Sequence, residues 1–168
     1  MNYISLEGCK RFVFPYIYEQ LTNNEPTAQY EQESTGIAEL KKVFELVQND
    51  LFYPTLPHKA AYLLCSIAGS QYFSNGNKRL GVITLLFFLI MNDAEVLALD
   101  SEGYEKLLRN YFPSLIWEHN LVIGDNLPIF LYNLTILIGD RKQWGQGIEF
   151  DAVKGKVTEL FSVLCRQS

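Results

Sequence analysis

The segment Gln71-Tyr72-Phe73-Ser74-Asn75-Gly76-Asn77-Lys78-Arg79 is where this chain concentrates residue types that could do chemistry. Asn75-Gly76-Asn77 is turn chemistry, and the apolar run that follows it reads as a helix. A glycine-containing turn feeding a helix start offers backbone N–H groups with no intrahelical acceptor and the positive end of the helix dipole. Lys78 and Arg79 put two cations at that same end, where the dipole alone disfavours them. A bound anion such as a phosphate would supply a reason for them. The competing reading is a plain tight turn followed by a solvated first turn.

Other chemistry is thinly represented. His58 stands 13 positions before Gln71, near the start of the preceding helical stretch, and reads as an exposed helix-start residue. His119, in Trp117-Glu118-His119, is isolated and reads as a surface or packing residue. Tyr72 is too weak a base without a strongly lowered pKa. No Ser/His/Asp arrangement and no metal-spaced cluster appears. Cys9, Cys65 and Cys165 are far apart and odd in number, which argues against zinc ligation and a disulfide framework.

Helical period dominates the elements that must position this segment. Leu40, Val43, Phe44 and Val47 recur at i, i+3, i+4 and i+7 within Glu39–Asp50. Pro57 suits the first turn of a helix running to about Ala68, with Ala61, Leu64, Cys65 and Ala68 inward and Gly69-Ser70 closing it. Leu80–Met91 is apolar on nearly every side, so it reads as a buried central helix ending at Asn92-Asp93. Asp100 or Ser101 caps a helix with Tyr104, Leu107, Leu108 and Tyr111 on one face, stopped by Pro113. Leu127–Gly139 suits helix or strand, and its helical neighbours favour helix. Asp140–Gly147 is a polar loop, and a last helix runs from Asp151 to about Arg166 with Val153, Val157, Leu160, Phe161 and Leu164 inward. The stretch to Thr22 is helical but broken by Pro15, and Asn23–Glu33 is a polar loop.

With 168 residues, the chain has room for one domain, and no linker divides it. Its 48% apolar and 20% charged residues exclude a disordered or fibrous chain. A net charge of −5 argues against a nucleic-acid binder, which would carry a basic face. The 11 Phe and 10 Tyr imply a thick core or an adhesive surface. The start lacks a signal-peptide pattern, and the longest apolar run, Leu80 to Met91, is too short to cross a bilayer. A soluble, cytoplasmic protein with no membrane partner is the expectation.

Taken together, Lys59–Arg79, the apolar Leu80–Met91 and Asn92 resemble the Fic/Doc (Fido) family. The family motif is His-x-Phe-x-Asp/Glu-Gly/Ala-Asn, followed by Gly-Arg in Fic proteins or Lys-Arg in Doc-type toxins. Lys78-Arg79 is similar to the Doc branch, and Val82 stands where Fic proteins carry a second arginine. The close likeness spans about Leu56 to Val96, with a fainter one over Gly36–Gln48 and none in the first thirty residues or after Ser101. The resemblance implies an all-α bundle around a buried central helix at about residues 78–92. The core would span about residues 34–112, and a C-terminal helical extension residues 113–168 of a single domain.

Active members of the family transfer AMP or phosphate from a nucleotide to a protein hydroxyl. Carried over by position, Gly76, Asn77, Lys78 and Arg79 would cradle phosphates of ATP or another nucleotide, and Phe73 would anchor the loop. Gln71 replaces the family's histidine base, and Asn75 replaces its acidic magnesium ligand. A carboxamide cannot take a proton at neutral pH, and losing a general base costs about 10²–10⁴-fold in rate. Magnesium favours carboxylate oxygens, so Asn75 would hold it weakly and magnesium dependence is not expected. Many Fic proteins are restrained by a Ser/Thr-x-x-x-Glu-Gly/Asn helix. Thr35–Glu39 fits its first part and Leu40 departs from its last, so Glu39 is read as a solvent-facing residue.

The resulting expectation is a Fic/Doc-like binding or regulatory module with a degenerate active site and a retained nucleotide loop. The alternative is an active nucleotidyl- or phosphotransferase, such as the toxin of a toxin–antitoxin pair. A protein partner is expected in either case, as target or antitoxin-like inhibitor, with a homo-oligomer left open.

Overall fold

The computed structural model describes residues 1–21, 26–112, 124–141 and 149–167, with only the backbone of residue 167. His119, the Pro113 helix stop and most of the Asp140–Gly147 loop lie outside the described residues. The described chain is helical but for one short ribbon. Helices α1 (Leu6–Gly8) and α2 (Phe14–Gln20) are joined without a break by a π-helical turn, Cys9–Val13. Helices α3 (Ser34–Leu46), α4 (Leu56–Ala68) and α5 (Asn77–Met91) follow. Next come β1 (Ala94–Val96), α6 (Ser101–Tyr111), α7 (Leu127–Gly139), α8 (Phe150–Leu164) and β2 (Cys165–Gln167).

Local chemistry sets most of these boundaries. Asp100 caps α6 by accepting from the Gly103 N–H at 2.7 Å, and Asn126 caps α7 by accepting from the Ile129 N–H at 3.0 Å. Leu127–Gly139 is a helix, with Pro128 in its first turn. Pro15 does not break the N-terminal helix. The π turn moves the Phe14 N–H bond back to the Cys9 carbonyl, and Pro15 then falls at the start of α2, where no N–H is needed. The final helix ends at Leu164 rather than near Arg166. Cys165–Gln167 extends instead and pairs antiparallel with Ala94–Val96, aligning Val96 with Cys165 and Glu95 with Arg166.

The centre of the fold is the α4–α5 pair, with α8 and α7 packed against it. Every residue of α4 from Lys59 to Ala68 is buried, well beyond the single inward face its apolar pattern marks. Lys59 is only 1% exposed, and its ammonium donates to the Val47 carbonyl and to Asp50, each at 2.8 Å. That bond pulls the Asp50 carboxyl below its ordinary pKa. In α5, Leu80–Leu85, Phe88 and Leu89 are buried. The expectation that nearly the whole helix is enclosed fails in its last turns. Leu86 and Phe87 are half-buried, and Ile90 is 72% exposed. No helix among the described residues is long and apolar enough to cross a membrane.

Candidate functional site

The loop between α4 and α5 is held by side chains from three directions. Phe73 is buried, and α3 approaches it so closely at Gly36 that a Cβ there would lie 2.6 Å from the Phe73 ring. Asn77 closes the loop on itself: its Oδ1 accepts from the Phe73 N–H at 3.0 Å, and its Nδ2 donates to the Phe73 carbonyl at 2.9 Å. The Asn77 side chain is therefore spent on loop shape. Glu33 accepts from both the N–H and the hydroxyl of Ser74, at 2.8 and 2.9 Å.

Gly76 is the left-handed residue that turns this loop into α5, with φ of +73°. The Tyr30 hydroxyl donates to the Gly76 carbonyl at 2.9 Å and accepts from Thr27 Oγ1 at 2.9 Å. Its ring stacks on Phe14 at 4.9 Å and on Tyr18 at 5.8 Å, and meets Phe73 edge-on at 5.0 Å. Burial pushes the Tyr30 hydroxyl up to about 12, so it is a neutral donor at any physiological pH. Thr27, Tyr30 and Glu33 all come from the stretch that reads as a polar loop. A lone tyrosine among Gln and Glu was the available signal for Tyr30. Tyr30→Phe keeps the ring and removes its bond to Gly76, leaving a carbonyl short of its donor. Urea unfolding is expected to show a loss of about 1–3 kcal/mol.

The helix start opens onto a cavity of about 400 Å³, lined by Gln71, Gly76, Asn77, Lys78 and Arg79 together with Gly69, Tyr132 and Asp140. The first intrahelical bond of α5 runs from the Leu80 N–H to the Gly76 carbonyl, so the Asn77 and Lys78 N–H groups sit on the open end. Five of the six sequence-selected site residues meet here. Asn75 does not: it is exposed and outside the lining. Gln71 sits at the exposed lip.

Both cations find acceptors or a favourable dipole within the fold. The Arg79 guanidinium donates to the Leu21 carbonyl at 2.7 Å and the Pro26 carbonyl at 2.8 Å. Lys78 lies over the C-terminal end of α7, where a Cβ on Gly139 would come within 3.2 Å of its Cε. That carbonyl end carries negative partial charge and favours an ammonium. The positive charges at this helix start thus have a structural reason besides a ligand. Arg141, just beyond α7, donates to the Gly69 and Ile138 carbonyls at 3.3 and 3.1 Å and ties the cavity's α4 edge to α7.

The remaining candidates lie elsewhere. His58 is half-buried at the start of α4, with its Nδ1 2.7 Å from Thr55 Oγ1, at the opposite end of that helix from the loop. Glu39 is paired with Lys42 at 2.7 Å. All three cysteines are buried, and burial pushes Cys65 and Cys165 up to about 12, so they are not poised as nucleophiles. Among the described residues no group of three His, Cys, Asp or Glu could hold a metal ion. Asp140 is the cavity's carboxylate, and the carboxamide of Asn75 does not fit the acidic magnesium role.

No curated protein and no solved structure matches the chain. A family model does match, over residues 9–89. The match takes in the π turn and α2, so the N-terminal helix, which resembles nothing by its sequence, is part of the shared domain. It ends before the ribbon and before α7, which supplies Tyr132 and Gly139 and is followed directly by Asp140. The cavity is thus built by two parts of one chain, of which residues 9–89 match the model of the Fic/DOC family.

Proposed function

We propose that the protein is a Fic/DOC module with a degenerate active site, which binds a phosphate-bearing ligand without efficient group transfer. The observation that supports this most is the cavity wall itself. It keeps an open helix start with Lys78 and Arg79, yet a neutral Gln71 stands at the base position and no histidine is among its described lining residues. Binding of ATP or another nucleotide needs only the cradle. Abstraction of a proton from a target hydroxyl needs a base that Gln71 is not. Occupancy by an anion also competes with the Leu21 and Pro26 carbonyls for Arg79, which makes the expected affinity weak and salt-sensitive.

The test has a binding arm and a chemical arm. Calorimetry with ATP, ADP, GTP and pyrophosphate is expected to give heat that falls as salt rises and is reduced in Lys78→Ala and Arg79→Ala. No heat from any of them overturns the cradle. In the chemical arm, ATP labelled at the alpha or the gamma phosphate is incubated with protein and lysate. The unmodified protein should leave no label with either form of ATP. Strong labelling by the unmodified protein overturns the degenerate-site reading.

One observation favours a second reading, an active transferase with relocated chemistry. Asp140, from outside the family-matched stretch, places a carboxylate in the same cavity as Lys78 and Arg79. If it serves as base or metal ligand, the unmodified protein labels its target and Asp140→Asn abolishes that labelling.

A further inference from the structure

A second cavity adjoins the polar one and shares Arg79 and Tyr132 with it. It measures about 250 Å³ and is walled by Tyr16, Leu21, Val82, Ile83, Leu86 and Ile129, with Arg79 the only charged residue among its described lining residues. An apolar cavity of roughly 150 Å³ is already large enough to hold a benzene ring. The cavity lies along the least enclosed stripe of α5. Ile83, Leu86, Phe87 and Ile90 recur at i, i+3, i+4 and i+7, apolar throughout, while their exposure rises toward Ile90. Val82, at the place of the Fic family's second arginine, forms part of this wall. A position that could carry charge is here hydrocarbon.

We infer that the protein binds an amphiphilic anion, with a compact anionic head in the polar cavity and an aliphatic tail along the apolar wall of α5. Charge complementarity selects this occupant. The polar compartment offers Lys78, Arg79 and the open N–H groups of α5, whereas the adjoining one offers surface to hydrocarbon. A nucleobase would need polar partners for its ring nitrogens and exocyclic groups. Among its described lining residues the apolar compartment has no Asn, Gln, Asp or Glu. Arg79 lines both compartments and marks their junction, its guanidinium held by the Leu21 and Pro26 carbonyls. The head of this ligand rests on the anion reading above, and the tail is independent of it.

Calorimetry with inorganic phosphate, butyl, hexyl and octyl phosphate, and octanol, each below its micelle-forming concentration, separates the two halves. Each methylene that becomes buried is worth about fourfold in affinity, so binding should tighten along the series and level off once the compartment is full. Octyl phosphate should bind at least ten times tighter than inorganic phosphate and than octanol. Leu86→Gln on α5 and Ile129→Gln on α7, both at half-buried positions, should each remove most of the gain from the chain while leaving phosphate binding unchanged. If octyl phosphate binds no tighter than inorganic phosphate, the tail compartment is overturned while the anion reading stands. If octanol matches octyl phosphate, the anionic head is overturned. No binding by any of the five overturns both.

Discussion

Leu85→Asp is expected to abolish cooperative folding, whereas Ile90→Asp, five residues further along the same apolar helix, should melt like the parent. Leu85 is fully buried in the α4–α5 centre, and Ile90 is 72% exposed. A carboxylate at Leu85 would stand inside the apolar core. An uncompensated buried charge costs about 3–5 kcal/mol, on top of the packing that leucine contributed. Domains have only about 5–15 kcal/mol in total, so the loss approaches the whole stability. Circular dichroism melts of the two variants check this. A Leu85→Asp protein melting with the parent, or an Ile90→Asp protein that unfolds, would show the burial of α5 to be wrongly placed.

Gly76→Val should be the most damaging single change at the candidate site. Two independent costs coincide there. A β-branched residue at φ of +73° is a strained outlier, worth about 1–3 kcal/mol. Any Cβ at this position would also overlap Tyr30 Oη and Thr27 Oγ1, forcing apart the hydroxyl pair that holds the Gly76 carbonyl. Gly76→Asn separates the two, since asparagine tolerates the left-handed conformation but still carries the Cβ. Both variants are therefore expected to lose well over 1 kcal/mol in urea unfolding. Both should also alter the near-ultraviolet dichroism, because Tyr30 stacks on Phe14 and Tyr18. If asparagine is tolerated within about 0.5 kcal/mol, backbone conformation alone explains the glycine and the Tyr30 clamp is not a constraint.

Much of this molecule is legible one residue at a time. Helical period places α3, α6 and α8, and Asp100, Pro57 and Gly69 mark boundaries where the structure has them, because capping and ring geometry act within a turn or two. The order Phe73-Ser-Asn-Gly-Asn-Lys-Arg79 likewise marks the loop and carries the Fic/Doc resemblance, within the stretch 9–89 that the family model matches, since a motif is itself a local string. The tertiary structure decided what each of these residues is used for. Asn77 is consumed by loop closure, Arg79 donates to two carbonyls more than fifty residues away, and Lys78 lies over the end of α7. Partners so distant in sequence leave no local signature. The same holds for Tyr30, whose polar neighbours hide a core residue, and for Cys165–Gln167, which extend only because Ala94–Val96 offer an edge to pair with. An apolar run such as Leu80–Met91 states that burial is favourable but not which side is covered. Packing alone distinguishes the enclosed Leu85 from the surfaced Ile90, and leaves the apolar wall beside Arg79 open.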